Sequence, residues 1–155
     1  MAMARPLDDG MTFDERLRAA WAGVPAPILE KITEHQCEEC DEIAAYFGGQ
    51  SWQQFTNITE LRCHADALAL FSNVAFHYYL PAFMNATIRD ADAADVIPDN
   101  IVFSFRCELG QAARGRLELF SQNQRAVVAE FMETLYENDG ADDDEILTVA
   151  RLLRC

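Results

Sequence analysis

The sequence predicts an all-α protein, a single compact domain of about five to seven helices built round a Pro-kinked central one. Three observations carry that expectation. Almost every apolar pattern along the chain repeats with helical rather than strand period. Helix-opening capping boxes recur, T-x-x-E at Thr12–Glu15 and S-x-x-Q at Ser121–Gln124. The length is 155 residues, half of them apolar and ten of them Phe. That suffices for one core burying roughly 70% of the unfolded chain's surface.

Residues 1–11 read as a flexible leader and 12–155 as the helical domain. Thr12 opens a short helix through Trp21, which Val24-Pro25-Ala26-Pro27 breaks. Pro27 suits the first position of the next helix. There Leu29, Ile32, Cys40, Ile43 and Phe47 form a helical stripe that stops at Gly48-Gly49. On its opposite face Glu30, Glu34, Glu38 and Glu42 follow one another at i, i+4. Like charges at that spacing weaken a helix by a few tenths of a kcal/mol per pair. The ridge is therefore either a used surface or an ordinary solvated face.

Ser51 to Phe55 reads as a turn with Trp52 inward, and Thr59 to Leu70 as one helix. Ser72 caps the central helix, which runs to about Asp90 with Phe71 and Phe76 as a hydrophobic staple. Inside it, Pro81 removes a hydrogen bond and kinks the backbone. Phe76, Tyr79, Leu80 and Phe83 fall on the core side, leaving His77 and Tyr78 towards the surface or a groove. Residues 91–116 are the least defined: Ile101–Phe105 fits a short strand or a helical turn, and Gly110–Gly115 a mobile loop. Ser121 then opens an amphipathic helix through Val127, Val128, Phe131 and Leu135, which Asn138-Asp139-Gly140 ends. Asp142–Glu145 start the last helix, whose apolar residues are Ile146, Val149, Leu152 and Leu153, and acids there suit the helix dipole.

Charge excludes several functions. Twenty-six acids against twelve bases give a net charge of −14, and Lys31 is the only lysine. Such a surface repels nucleic-acid phosphates and anionic lipid, and speeds association with basic proteins. No run approaches the roughly 18 apolar residues of a membrane span. The N-terminus lacks the apolar core of a signal peptide, and five cysteines are an odd count for a disulfide framework. A cytoplasmic protein with reduced thiols is expected. P-loop, G-x-G-x-x-G, G-x-S-x-G and H-E-x-x-H patterns are absent. His77 could act as a general base, but nothing in the sequence assembles a nucleophile and an orienting group around it. A non-enzymatic protein is the expectation.

The segment His35-Gln36-Cys37-Glu38-Glu39-Cys40 leaves three readings open: buried structural cysteines, a metal site, or a redox pair. On a continuous helix Cys37 and Cys40 share a face while His35 points away, so a site using all three needs the helix to start or break near Gln36. Cys63 would complete a zinc ligand set of Cys37, Cys40, Cys63 and either His35 or His64. A pair in mid-helix beside Glu38, Glu39, Asp41 and Glu42 has its thiolates disfavoured, which argues against redox work.

The combination of His35, Cys37, Glu39 and Cys40, then Trp52, then Tyr78-Tyr79-Leu80-Pro81-Ala82-Phe83, then Leu119, Phe120, Gln124 and Arg125 resembles a family of small bacterial proteins of unknown function. The resemblance spans about residues 35–135 and implies a fold more than an activity. In size and charge the chain is also similar to the immunity proteins that neutralise bacterial toxins. The expected function is thus binding of a basic toxin or effector domain. The expected surface is Glu30, Glu34, Glu38 and Glu42 with the acidic C-terminal region, Glu133, Glu137, Asp142, Asp143 and Asp144. The alternative is a small zinc-stabilised helical domain with a regulatory or assembly role.

Overall fold

The structure, a computed structural model, describes residues 10–139 and 144–155. Among these, nine α-helices follow in order: α1 Phe13–Ala20, α2 Glu38–Phe47, α3 Ile58–Cys63, α4 Ala67–Leu70, α5 Asn73–Arg89, α6 Ala91–Ala94, α7 Ile97–Glu108, α8 Gln122–Asp139 and α9 Asp144–Leu153. Six of them are longer than one or two turns, and no strand forms among the described residues. Short 3₁₀ turns at Leu29–Lys31, Trp52–Gln54 and Arg116–Leu119 join the rest.

α5 is the axis of the domain. Every residue from Ala75 to Thr87 is buried, because this helix is apolar on all sides and must be enclosed on all sides. α1, α3, α6, α7 and the turns at Trp52 and Arg116 pack round it, while α8 packs on α1 and α9. Pro81 sits in the middle of α5 without ending it. Phe47, Phe71, Tyr79 and Phe83 form one aromatic cluster, with Phe47 and Tyr79 centroids 5.1 Å apart. Trp21, His77, Phe105 and Phe120 form a second. Enclosure corrects the expectation for His77 and Tyr78, which are buried at 8% and 6% exposure rather than turned outward.

Both capping boxes form. Thr12 Oγ1 accepts the Glu15 N–H and the Glu15 carboxylate accepts the Thr12 N–H. Ser121 Oγ accepts the Gln124 N–H at 3.1 Å and Gln124 Oε1 accepts the Ser121 N–H at 2.9 Å. Of the leader, residues 1–9 lie outside the described residues, and the Met11 carbonyl accepts from Arg16.

Other expectations are corrected. Thr59–Leu70 is two helices, because Asn57 caps α3 and the chain turns through His64–Asp66 before α4. Of the two readings of Ile101–Phe105, strand or helical turn, the helical one holds: the segment belongs to α7, which Pro98 opens and which turns Ile97, Ile101, Val102 and Phe105 inward. The far end of the Gly110–Gly115 loop is pinned by Glu108, whose carboxylate accepts the N–H groups of Arg114 and Arg116. In α9, Leu152 faces outward.

The largest correction concerns the second helix. The expected continuous helix from Pro27 to Phe47 is a 3₁₀ turn, a non-helical segment over 32–37, and then α2. Ser72, the N-cap of α5, draws that segment out of helix. Its N–H donates to the Ile32 carbonyl at 2.9 Å, its hydroxyl donates to the Lys31 carbonyl at 2.6 Å, and Thr33 bridges to Phe71.

Candidate functional site

The break creates the site. Cys37 is extended (φ −161°, ψ 171°) and is the N-cap of α2, its Sγ accepting the Cys40 N–H at 3.3 Å. His35, two residues earlier on the non-helical segment, turns back so that its Nδ1 lies 3.8 Å from Cys40 Sγ. The three side chains place their ligand atoms within 4.8 Å of one another. Cys40 is buried, Cys37 half-buried and His35 exposed.

The two thiols differ. The Cys40 N–H at the start of α2 holds the Cys37 thiol below its ordinary pKa, whereas burial first, and then Cys37, pushes the Cys40 thiol up. The sequence argument against thiolate rests on a pair in mid-helix. With Cys37 at the N-terminus, the backbone donor outweighs the cost of burial. A half-exposed thiol, a buried thiol and an imidazole thus converge at the start of α2.

Of the expected ligands, Cys63 stays apart, exposed at the end of α3. His64 stacks on Tyr46 with centroids 4.0 Å apart. Tyr46 lies in the last turn of α2, so this contact holds His64 at the end of α2 opposite Cys37.

The cluster opens on a cleft of about 1450 Å³ between the 29–38 segment, the start of α5 and the 115–119 turn. Five acids line it, Glu30, Glu34, Glu38, Asp41 and Glu118, against one lysine, Lys31. Glu30, Glu34 and Glu38 thus share a surface, though not as a helical ridge, and Glu42 is absent from that lining. Leu29, Val74 and Leu119, exposed at 56%, 42% and 42%, lie in the same cleft.

Sequence reasoning missed Val74 and Glu118 and took Leu119 only as part of a family motif, since only the Ser72 hydrogen bonds and the packing of the 116–119 turn on α5 bring them to His35. No local signal marks them.

Three of the acids near the C-terminus are paired within the chain. Glu133 accepts from Arg154 at 2.8 Å, Glu130 from Arg16 at 2.9 Å and Glu145 from Arg106 at 2.6 Å. Glu137 and Asp144 are exposed, and Asp142 and Asp143 lie outside the described residues. His77, the other residue considered for chemistry, is enclosed between Trp21 and Phe120 with Nε2 2.8 Å from Gln124 Oε1. Among the described residues no helix is long and apolar enough to cross a membrane.

Fold and site together define a small all-α domain built on one enclosed helix, with a cysteine–histidine cluster at the edge of an acidic cleft. The chain belongs to the Family of unknown function (DUF6714), which matches residues 49–151. That span takes in Tyr78–Phe83 and Leu119–Arg125 and begins after Cys40. No curated protein and no solved structure matches the chain.

Proposed function

We propose that the chain is a non-enzymatic, acidic binding protein that takes a basic segment of a partner protein in the cleft. A bacterial toxin or effector domain, neutralised by direct binding as immunity proteins do, is the partner class that the chain's size and charge fit best. The single observation behind this reading is the composition of the cleft: five carboxylates against one lysine around three exposed apolar side chains. The carboxylates would steer a cationic partner and raise its on-rate, while Leu29, Val74 and Leu119 would supply the apolar contacts that carry affinity.

The test uses two labelled peptides of equal length, one Arg-rich and one Glu-rich, each with a central Leu. The Arg-rich peptide should bind, more weakly as salt rises. The triple variant Glu30→Gln, Glu34→Gln, Glu38→Gln should lower its on-rate by about tenfold or more. Equal binding of both peptides, or an unchanged on-rate in the triple variant, would sink the proposal. The second reading, a zinc-stabilised domain, is favoured by the convergence of His35, Cys37 and Cys40 and is independent of the first.

A further inference from the structure

We infer that His35, Cys37 and Cys40 form a zinc site with three protein ligands and a fourth position open to the acidic cleft. The donor set selects the metal: two thiolates and an imidazole suit Zn²⁺, and Mg²⁺ or Ca²⁺ would demand oxygen ligands. The spacing fits as well. With Zn–S near 2.3 Å and Zn–N near 2.0 Å, a tetrahedral site puts ligand sulfur and nitrogen about 3.6 Å apart and two sulfurs about 3.8 Å apart. Cys40 Sγ and His35 Nδ1 are 3.8 Å apart, and all three ligand atoms lie within 4.8 Å, so small side-chain adjustments close the site.

The backbone already holds the ligands in that arrangement. Cys37 Sγ takes the Cys40 N–H, which fixes the first thiol at the start of α2. The Ser72 contacts hold the non-helical segment that carries His35 beside it. A continuous helix would have turned His35 to the opposite side. The break at 32–37 is therefore the structural condition for a three-ligand site, and bound zinc would in turn staple that segment to α2. His35 and Cys37 line the cleft, which gives the ion an entry path. Glu34, Glu38 and Asp41 line it too, so the local field draws cations in. Without a partner in the cleft, water fills the fourth position.

Zinc is measured on the free chain, so this inference and the docking proposal can fail separately. The full chain, reduced and stripped with chelator, is titrated with Co²⁺ and then Zn²⁺. The expected result is one ion per chain, thiolate-to-cobalt charge-transfer bands with tetrahedral d–d intensity, and their loss as Zn²⁺ displaces Co²⁺. Cys37→Ser and His35→Ala should weaken Zn²⁺ binding by more than the roughly 10–100-fold that loss of a supporting second-shell group costs. Cys63→Ser should leave it unchanged. Cys40 is buried and its substitution can disturb folding. Cys37→Ser and His35→Ala, checked for native helicity by circular dichroism, therefore decide the matter. Absence of cobalt–thiolate bands in the wild-type chain overturns the inference. So does Zn²⁺ affinity that survives both substitutions, or one that Cys63→Ser abolishes.

Discussion

The indole N–H of Trp21 donates to the main-chain carbonyl of His77 at 2.8 Å, and Pro81 is the reason that carbonyl is available. In a regular helix the N–H of residue 81 would bond the carbonyl of residue 77, but proline has no N–H. A buried carbonyl without a donor costs about 1–3 kcal/mol, and α5 is buried along this whole stretch. Trp21, the C-cap of α1, therefore supplies from another helix the donor that α5 lacks, and fixes α1 against α5.

Trp21→Phe keeps a ring in place and removes the donor, so it should cost about 1–3 kcal/mol in urea unfolding. In a Pro81→Ala background the backbone N–H gained at position 81 can take over the His77 carbonyl, and the cost of Trp21→Phe should shrink by about 1 kcal/mol. An equal cost in both backgrounds would show that the carbonyl is satisfied some other way.

His77 makes stability depend on pH. Gln124 Oε1 already accepts the Ser121 N–H, and Gln124 Nε2 donates to the Ala20 carbonyl at 2.9 Å. That fixes the orientation of the amide, so His77 donates through Nε2 to Gln124 Oε1. Burial lowers its pKa from the ordinary 6.5. Below pH 6.5 the unfolded chain then binds more protons at this residue than the folded one, and stability falls with falling pH. Unfolding free energy measured from pH 7 down to about 5 should decline in the wild type and flatten in His77→Gln. An identical slope in the variant would assign the effect to other groups.

Legibility follows from where the information sits. The capping boxes at Thr12 and Ser121 and the cap at Ser72 are readable because each is a local exchange between residues three apart. Asn57, which accepts from Thr59 and Glu60, is readable by the same rule, although the expectation of one helix over Thr59–Leu70 passes it by. The break before α2 is not readable, since the stripe of Leu29, Ile32, Cys40, Ile43 and Phe47 is helical in period. What overrides it is a pair of hydrogen bonds from Ser72, distant in the chain. The sequence does state the condition for a His35–Cys37–Cys40 site, a break near Gln36, and the fold meets it. The burial of His77 and Tyr78 is illegible for a similar reason: period shows which side of a helix is apolar, not whether the other side is also covered.

Arg116 presents a buried cation with a definite task. At 2% exposure, its guanidinium donates to the carbonyls of Leu68 at 2.8 Å and Phe71 at 2.9 Å, at the end of α4. It also lies 4.1 Å from the centre of the Phe76 ring. Burial draws its pKa down to about 10, so it remains charged at neutral pH. Arg116→Lys keeps the charge but cannot reach both carbonyls with one planar fork. It should cost about 1.5–3 kcal/mol, and Arg116→Met, which takes the Arg116 donor from both carbonyls and leaves Phe71 only the longer bond from Arg114 at 3.3 Å, should cost more. A urea midpoint for Arg116→Met at or above wild type would mean that desolvating the cation offsets all it gains.

Gly48 and Gly49 both end α2, for different reasons. Gly48 has an ordinary backbone (φ −59°, ψ 140°), yet a Cβ there would lie 2.6 Å from the Ala44 carbonyl oxygen and overlap Leu29 Cδ1. Gly49 is left-handed (φ +77°) with nothing within 4 Å of its missing Cβ. Gly49→Ala should therefore cost only the backbone strain, about 1–2 kcal/mol. Gly48→Ala must move Leu29 and also disturb the Gly48 N–H to Ala44 carbonyl bond, which is 2.8 Å in the native chain. Trimming the neighbour in a Leu29→Ala background should recover part of the Gly48→Ala loss and none of the Gly49→Ala loss. Because Leu29 also lines the acidic cleft, Gly48→Ala should weaken capture of an Arg-rich peptide even where Gly49→Ala leaves it unchanged. Equal recovery for both variants would mean that Gly48, like Gly49, is kept for its backbone alone.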